Sequence, residues 1–322
     1  MKFKKIIALL SAAALTLTLS SCKKEDSKKK ISVIVKAVDS DFWHRVKSGV
    51  DSAATEYNID AEFTGPENEE DYKAQNRLIE NAVKNGAEAI VVSAIDYKKS
   101  AEAVNSAARA GVKIVAIDSE VNSQNVSTFI GTDNYEAGKA AAKAAVVGFS
   151  KESNINIGLI NYYENTANGQ LREEGFKDYM SGIDNAEIIA SATADSNTES
   201  AEQAAVKLLS EHPEINVIAG FNEWMTLGIG YAVKKLDLSQ KVYAVGFDTN
   251  SVSLGMLETG EIDALIVQNP FEIGYMGLKC AAGLISGETY QSEQYTAVTA
   301  VTKNNMFDKE IQKLLFTFEN GG

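Results

Sequence analysis

Side chains able to bind or transform a small polar molecule recur at one kind of place in this sequence, just beyond short β-rich apolar runs. Asp39 to Trp43 follow the first such run, Asp96 the third and Asp118 the fourth, while Asn222 with Glu223, Asp248 and Gln268 follow later ones. Carboxylates accept hydrogen bonds at two oxygens, and carboxamides both donate and accept. Phe42 and Trp43 add flat apolar faces. Together these suit a guest with many hydroxyls and a ring with apolar C–H faces, which is the chemistry of a sugar pocket. The same residue types also build the carboxylate pair of a glycoside hydrolase, so hydrolysis is the rival reading.

Other chemistries find little support. His44 and His212 are the only imidazoles, and there is no G-x-S-x-G elbow. His44 follows Trp43 and could touch a guest; His212, before Pro213, is expected at the surface. Gly131 to Lys139 (GTDNYEAGK) imitates a phosphate loop, yet six residues separate its glycines instead of four, and Ala140 stands where Ser or Thr would hold magnesium. Gly228-Ile229-Gly230 lacks the third glycine of a dinucleotide fingerprint. Two cysteines and two distant histidines make no metal site. Neither a cofactor nor a metal is expected. The net charge of −13, from 44 acidic against 31 basic residues, denies the surface the positive field that holds nucleic-acid phosphates.

The elements that must carry these residues are legible in the hydrophobic pattern. From Ile31 onward, apolar runs alternate with amphipathic helical stretches, the mark of βαβ units and parallel sheets. Runs begin near Ile31, Ile59, Glu88 and Val112, about 28, 29 and 24 residues apart, as a strand, a helix and two short loops require. A second series begins near Asn154, Ala186, Ile215, Lys241 and Asp263. Between the two lie a short strand, Ser127 to Gly131, and a long helix, Asn134 to Phe149. Two successive sets predict two similar Rossmann-like α/β lobes within the 322 residues. In such sheets guests sit beyond the carboxyl ends of the strands, where helix N-termini also point.

The N-terminus reads as a processing signal. Lys2, Lys4 and Lys5 precede an apolar stretch, Ile6 to Leu19, that is too short to span a bilayer. It closes on Leu19-Ser20-Ser21-Cys22, which resembles a bacterial lipobox, with Cys22 as the acylated residue. Residues 1–21 are therefore expected to be a lipoprotein signal peptide. Residues 22–30, rich in lysine, are expected to be a solvated tether. Acyl chains would hold so acidic a chain at a membrane.

Six short stretches resemble, in order, those of the ribose/galactose type of periplasmic sugar-binding proteins, the substrate-binding subunits of ABC transporters. They are Asp41-Phe42-Trp43, Ile117-Asp118-Ser119, Arg172 to Phe176 (REEGF), Asn222 to Gly228 (NEWMTLG), Val245 to Asp248 and Val267 to Pro270. The resemblance covers about Ile31 to Lys303. It implies the type I periplasmic binding protein fold, with two lobes joined by a three-stranded hinge. Residues 31–131 plus 269–296 would form the N-terminal lobe, and 132–268 plus 297–322 the C-terminal lobe. The crossings would fall near Gly131 to Asn134, Gln268 to Phe271 and Tyr295 to Val298.

The resemblance also implies roles. Phe42 and Trp43 would line the N-terminal side, one stacking on the guest while its neighbour, facing another way, packs. Asp118 would accept two hydroxyls, and Arg172 would donate a fork while offsetting the burial of Asp118. Asn222, Asp248 and Gln268 would complete the ring, with Lys36 and Ser40 beside the first strand. Ser40, Ser119 and Asp195-Ser196 depart from the ribose binders. Lys36 leans towards receptors of a furanose-like quorum signal, whereas Ala167-Asn168 does not. The implied protein is a monomeric, membrane-anchored binder of a monosaccharide and not an enzyme. Its partner would be an ABC permease or, alternatively, a membrane sensor kinase.

Overall fold

The computed structural model describes residues 28–150 and 153–316. The proposed signal peptide and Cys22 lie outside the described residues. Five strands come first, β1 (Lys29–Ile34), β2 (Ile59–Thr64), β3 (Ala89–Val92), β4 (Lys113–Ile117) and β5 (Val126–Gly131). Between them run α1 (Asp41–Glu56), α2 (Tyr72–Lys84) and α3 (Ala101–Arg109). The second series comprises β6 (Ile155–Asn161), β7 (Ala186–Thr193), β8 (Val217–Gly220), β9 (Tyr243–Phe247) and β10 (Ala264–Val267). Its helices are α4 (Asn134–Val146), α5 (Ala167–Ser181), α6 (Thr198–Glu211), α7 (Glu223–Lys235) and α8 (Ser251–Thr259). Then come α9 (Pro270–Ile285), β11 (Glu293–Tyr295), β12 (Thr299–Thr302) and α10 (Lys309–Leu315).

The strands form two six-stranded sheets, ordered β11-β5-β4-β3-β1-β2 and β12-β10-β9-β8-β6-β7. Every pairing among the described residues is parallel except β12 on β10. The central strands β3, β8 and β10 are buried along their whole length, as expected of parallel sheets covered by helices on both faces. This is the type I periplasmic binding protein fold.

The chain passes between the sheets three times: after β5 through Thr132 and Asp133, after β10 through Gln268 and Asn269, and between β11 and β12. Thus α4 packs on α5 and on the second sheet, whereas α9 packs on α1 and on the first.

Two expectations shift at their edges. Lys29 and Lys30, assigned to a solvated tether, belong to β1 and pair with Ile59 and Asp60. Their charged ends reach backbone carbonyls of Ala282 and Asn85, so a lysine-rich run can still open a strand when it lies at the surface rim. The helix expected from Asn134 to Phe149 ends at Val146. Capping follows the local chemistry: Asp71 accepts from the Ala74 N–H, and Asn85-Gly86 closes α2, with Gly86 at φ +80°.

Candidate functional site

The carboxyl ends of the two sheets face one another, and the polar residues beyond them converge on one cleft. Asp118 follows β4 and Asp248 follows β9, and both take a left-handed backbone, at φ +56° and +65°. Asp tolerates that conformation better than most residues. Each N–H still pairs across its sheet, with the carbonyls of Ile130 and Ile266. The turn swings each carboxylate off the strand line and into the cleft. The reading of Asp118 as a strand-end turn residue and the reading of it as a pocket residue therefore both describe it.

On the N-terminal side, Lys36 lies just past β1 and is 2 % exposed. Its Nζ is 3.5 Å from Asp118 Oδ2 and donates to Asn168 Oδ1 at 3.1 Å. Ser93 Oγ donates to the same Asp118 oxygen at 2.8 Å. Ser40 caps α1, accepting from the Trp43 N–H, and so places Phe42 and Trp43 in the first turn. These two rings meet edge to face at 5.0 Å. Both line the cleft and both belong to the buried core of the first lobe. Trp43 Nε1–H donates to Glu69 Oε1 at 2.8 Å, which turns its ring edge inward.

On the C-terminal side, α5 carries Asn168 and Arg172 one turn apart. The Asn168 Nδ2 lies 3.3 Å from Asp118 Oδ1, and its Oδ1 also accepts from Tyr162 at 2.8 Å. Arg172 is 1 % exposed. Its Nε–H donates to Asn134 Oδ1 and its Nη1–H to the Phe221 carbonyl, both at 2.8 Å. The guanidinium lies 4.5 Å above the Phe247 ring, and its Nη2 has no partner among the described residues. The expected pairing of Arg172 with Asp118 is corrected, because α5 holds the guanidinium against Phe247 and Phe221 while Lys36 reaches Asp118.

Asn222 caps α7, accepting from the Met225 N–H at 2.9 Å. Gln268 joins the cleft to the hinge: its Nε2 donates to Asp248 Oδ1 at 2.6 Å, and its Oε1 accepts from Thr132 at 2.7 Å. Thr132 and Gln268 sit on two of the three crossings. Burial raises the carboxyl of Asp248 above its ordinary range, against the pull of Arg172 and the Gln268 amide.

All nine residues expected here, from Lys36 to Gln268, line this one cleft, and Glu69, Tyr162, Asn168, Glu223 and Trp224 join them. Tyr162 directly follows β6, so the strand-end rule extended to that strand finds it. Glu69 lies in the acidic run Glu67 to Asp71, which reads as a solvated loop. Half-buried, it accepts from the Trp43 indole and lies near Lys36 and Asp118, a tertiary placement that no local pattern shows. Glu223 heads α7, where burial pushes its carboxyl up to about 7. Burial pushes Glu69 to about 7 as well, with Lys36 and Trp43 pulling the other way. His44 is exposed on the far side of α1.

The lobes are drawn close. The cavity amounts to about 30 Å³, room for one or two waters and far below the roughly 300 Å³ of an ordinary small-molecule pocket. Lys36, Asp118 and Asn168 fill its centre by bonding across it. A guest therefore has to part the lobes and displace Lys36 from these partners.

A profile described as the periplasmic binding protein domain matches residues 31–289. The chain belongs to that family. Among curated periplasmic binding proteins it is similar to the D-ribose/D-allose-binding protein of Pseudomonas aeruginosa, 26% identical over 299 residues, 89% of this chain and 92% of that one. A solute-binding protein from Agrobacterium radiobacter, solved with D-arabinose, superposes with a TM-score of 0.88 at 29% identity, over 90% of this chain and 100% of that one. A sugar transporter from Clostridium phytofermentans is 35% identical, with a TM-score of 0.78, over 85% of this chain and 98% of that one.

Proposed function

We propose that this chain is an exported, lipid-anchored receptor that captures a monosaccharide between its two lobes and delivers it to an ABC permease, with no covalent chemistry. The observation that carries the reading is the ring of buried polar groups contributed by both sheets. Within it, Arg172 Nη2 and Glu223 Oε2 have no protein partner among the described residues. Buried polar atoms are rarely left in that state, and a hydroxyl-rich guest supplies both a donor and an acceptor. A charge-assisted bond from Arg172 to a guest hydroxyl is worth about 1.5 to 3 kcal/mol. The relative named for ribose and allose and the one solved with arabinose support a pentose or hexose as guest. We place the lobe boundaries at residues 131/132, 268/269 and 296/297, a division supported by the strand order of the two sheets.

The test is thermal unfolding against a panel of pentoses and hexoses. A saturable rise in midpoint with the sugar recovered unchanged is the expected result. Release of product from an aryl glycoside overturns the receptor reading in favour of hydrolysis. The anchor is tested separately: Cys22→Ser should move the protein from the membrane to the soluble fraction, and continued pelleting refutes acylation at that residue.

A further inference from the structure

The charges around the cleft do not balance. Among the residues lining it, Lys36 and Arg172 face four carboxylates, those of Glu69, Asp118, Glu223 and Asp248, with Arg45 outside the lining adding a weaker pull on Asp248. Three of the four have a cation that offsets them. Lys36 lies 3.5 Å from Asp118 and also lowers the carboxyl of Glu69, while Arg172 lowers that of Asp248. Glu223 has none among the described residues. The charged groups that act most strongly on it, Asp248, Asp41 and Glu69, are all acidic. Its Oε1 accepts one neutral bond, from Asn250 Nδ2 at 2.7 Å, and its Oε2 is buried with no partner. The side chain lines the cleft from the first turn of α7.

We propose that the guest is an aminated monosaccharide, with a protonated amino group received by Glu223 and hydroxyls received by Arg172 Nη2 and the remaining carboxylates. This deepens the sugar-receptor reading and rests on it. An ammonium group supplies the positive charge that the cleft lacks, and it forms a charge-assisted bond with Glu223 Oε2, the one fully buried carboxylate oxygen without a partner among the described residues. A neutral sugar has only a hydroxyl to offer there, and Glu223 then has to take up a proton to avoid an uncompensated buried charge. The two cases differ in the sign of their pH dependence. An ammonium guest binds more tightly as Glu223 ionises, whereas a neutral guest binds more weakly.

The experiment is isothermal titration of the full mature chain with 2-, 3- and 6-amino-deoxyhexoses, their neutral parents, the pentoses, and an N-acetylated hexosamine that keeps the nitrogen without its charge. At least one aminated sugar should bind tenfold or more tightly than its neutral parent and its N-acetyl form, and its affinity should rise between pH 6 and 7. Glu223→Gln should remove that preference, read as the ratio of amine to parent affinity within the variant. Glu223→Ala, which also removes the charge, serves if the amide variant fails to fold. If neutral or N-acetylated sugars bind as tightly as the amines, or the preference survives both variants, the amine assignment is overturned and the sugar receptor stands. If no sugar of either class binds, the receptor reading falls with it.

Discussion

Asp118 and Asp248 end equivalent strands with the same left-handed turn, so the two lobes present their carboxylates to the cleft in the same way. Around them almost every polar atom is spoken for, and replacing one member leaves its partners buried and unpaired. Asp118→Ala strands Lys36 and Ser93, and Arg172→Ala opens the wall against Phe247. Each should weaken sugar binding by at least tenfold, or about 1.4 kcal/mol. Titration by calorimetry checks this, and near-native affinity in both variants would mean that the guest binds elsewhere.

The raised carboxyls of Glu69 and Glu223, both near 7 against an ordinary 4.5, make stability depend on pH. The folded protein keeps protons that the unfolded chain has released, so their contribution is complete below about pH 4.5 and is lost as pH rises through 7. The unfolding midpoint should therefore fall between about pH 5 and 8. The double variant Glu69→Gln/Glu223→Gln should flatten that slope, and an unchanged slope would assign it to other groups.

At the scale of elements, two helix pairs with close-packed backbones hold the walls of the cleft. A Cβ on Gly49 would lie 2.0 Å from the Phe271 carbonyl oxygen, and one on Gly274 would lie 2.1 Å from that of Val46, so α1 and α9 touch backbone to backbone. The other lobe repeats the device. Gly138 on α4 faces the Arg172 carbonyl and Gly175 on α5 faces that of Tyr135, each at 2.0 Å. This contact explains the glycine of the REEGF stretch and sets the depth at which Arg172 enters the cleft. Gly138→Ala forces the helices apart and should cost about 1 to 3 kcal/mol, a drop in midpoint of roughly 2 to 4 °C per kcal/mol. Gly255→Ala, on an exposed face with nothing within 4 Å, should be neutral or stabilising, as helix propensity alone dictates. Equal effects of the two would remove close packing as the cause.

For the whole molecule, closure is held at the rim as well as in the cleft. Tyr163 O–H donates to Asp96 at 2.9 Å, the Tyr97 N–H donates to the Asn165 carbonyl at 2.9 Å, and the Ser196 N–H donates to Glu70 at 2.6 Å. Asp96, which follows β3, thus serves lobe contact and not the cleft. Burial acts to raise its carboxyl, but the Lys99 N–H and the Tyr163 hydroxyl outweigh it and hold it below the ordinary range. Tyr163→Phe keeps the ring and removes the bond, so guest release should quicken several-fold while the apo unfolding midpoint hardly moves. Stopped-flow release of bound sugar measures this, and an unchanged rate would show that the rim does not hold the lobes. A cavity of about 30 Å³ also requires a more open form in solution. Small-angle scattering without sugar should give a radius of gyration above that of this closed arrangement, shrinking when sugar is added.

Much of this was legible in the chain alone. Strand spacing gives two lobes because a βαβ unit has a minimum length, and the strand-end rule finds Asp118, Asn222, Asp248 and Gln268 because parallel sheets open their carboxyl ends to guests. Local caps such as Asp71 and Ser40 are read the same way, since their partners lie within three residues. Partnership across the cleft was not legible. Whether Lys36 or Arg172 would meet Asp118, why an acidic loop buries Glu69, and why Glu223 has no cation all depend on how two sheets distant in sequence face one another. Electrostatic pairing acts over a few ångströms of space, and only the tertiary structure sets which charges come that close.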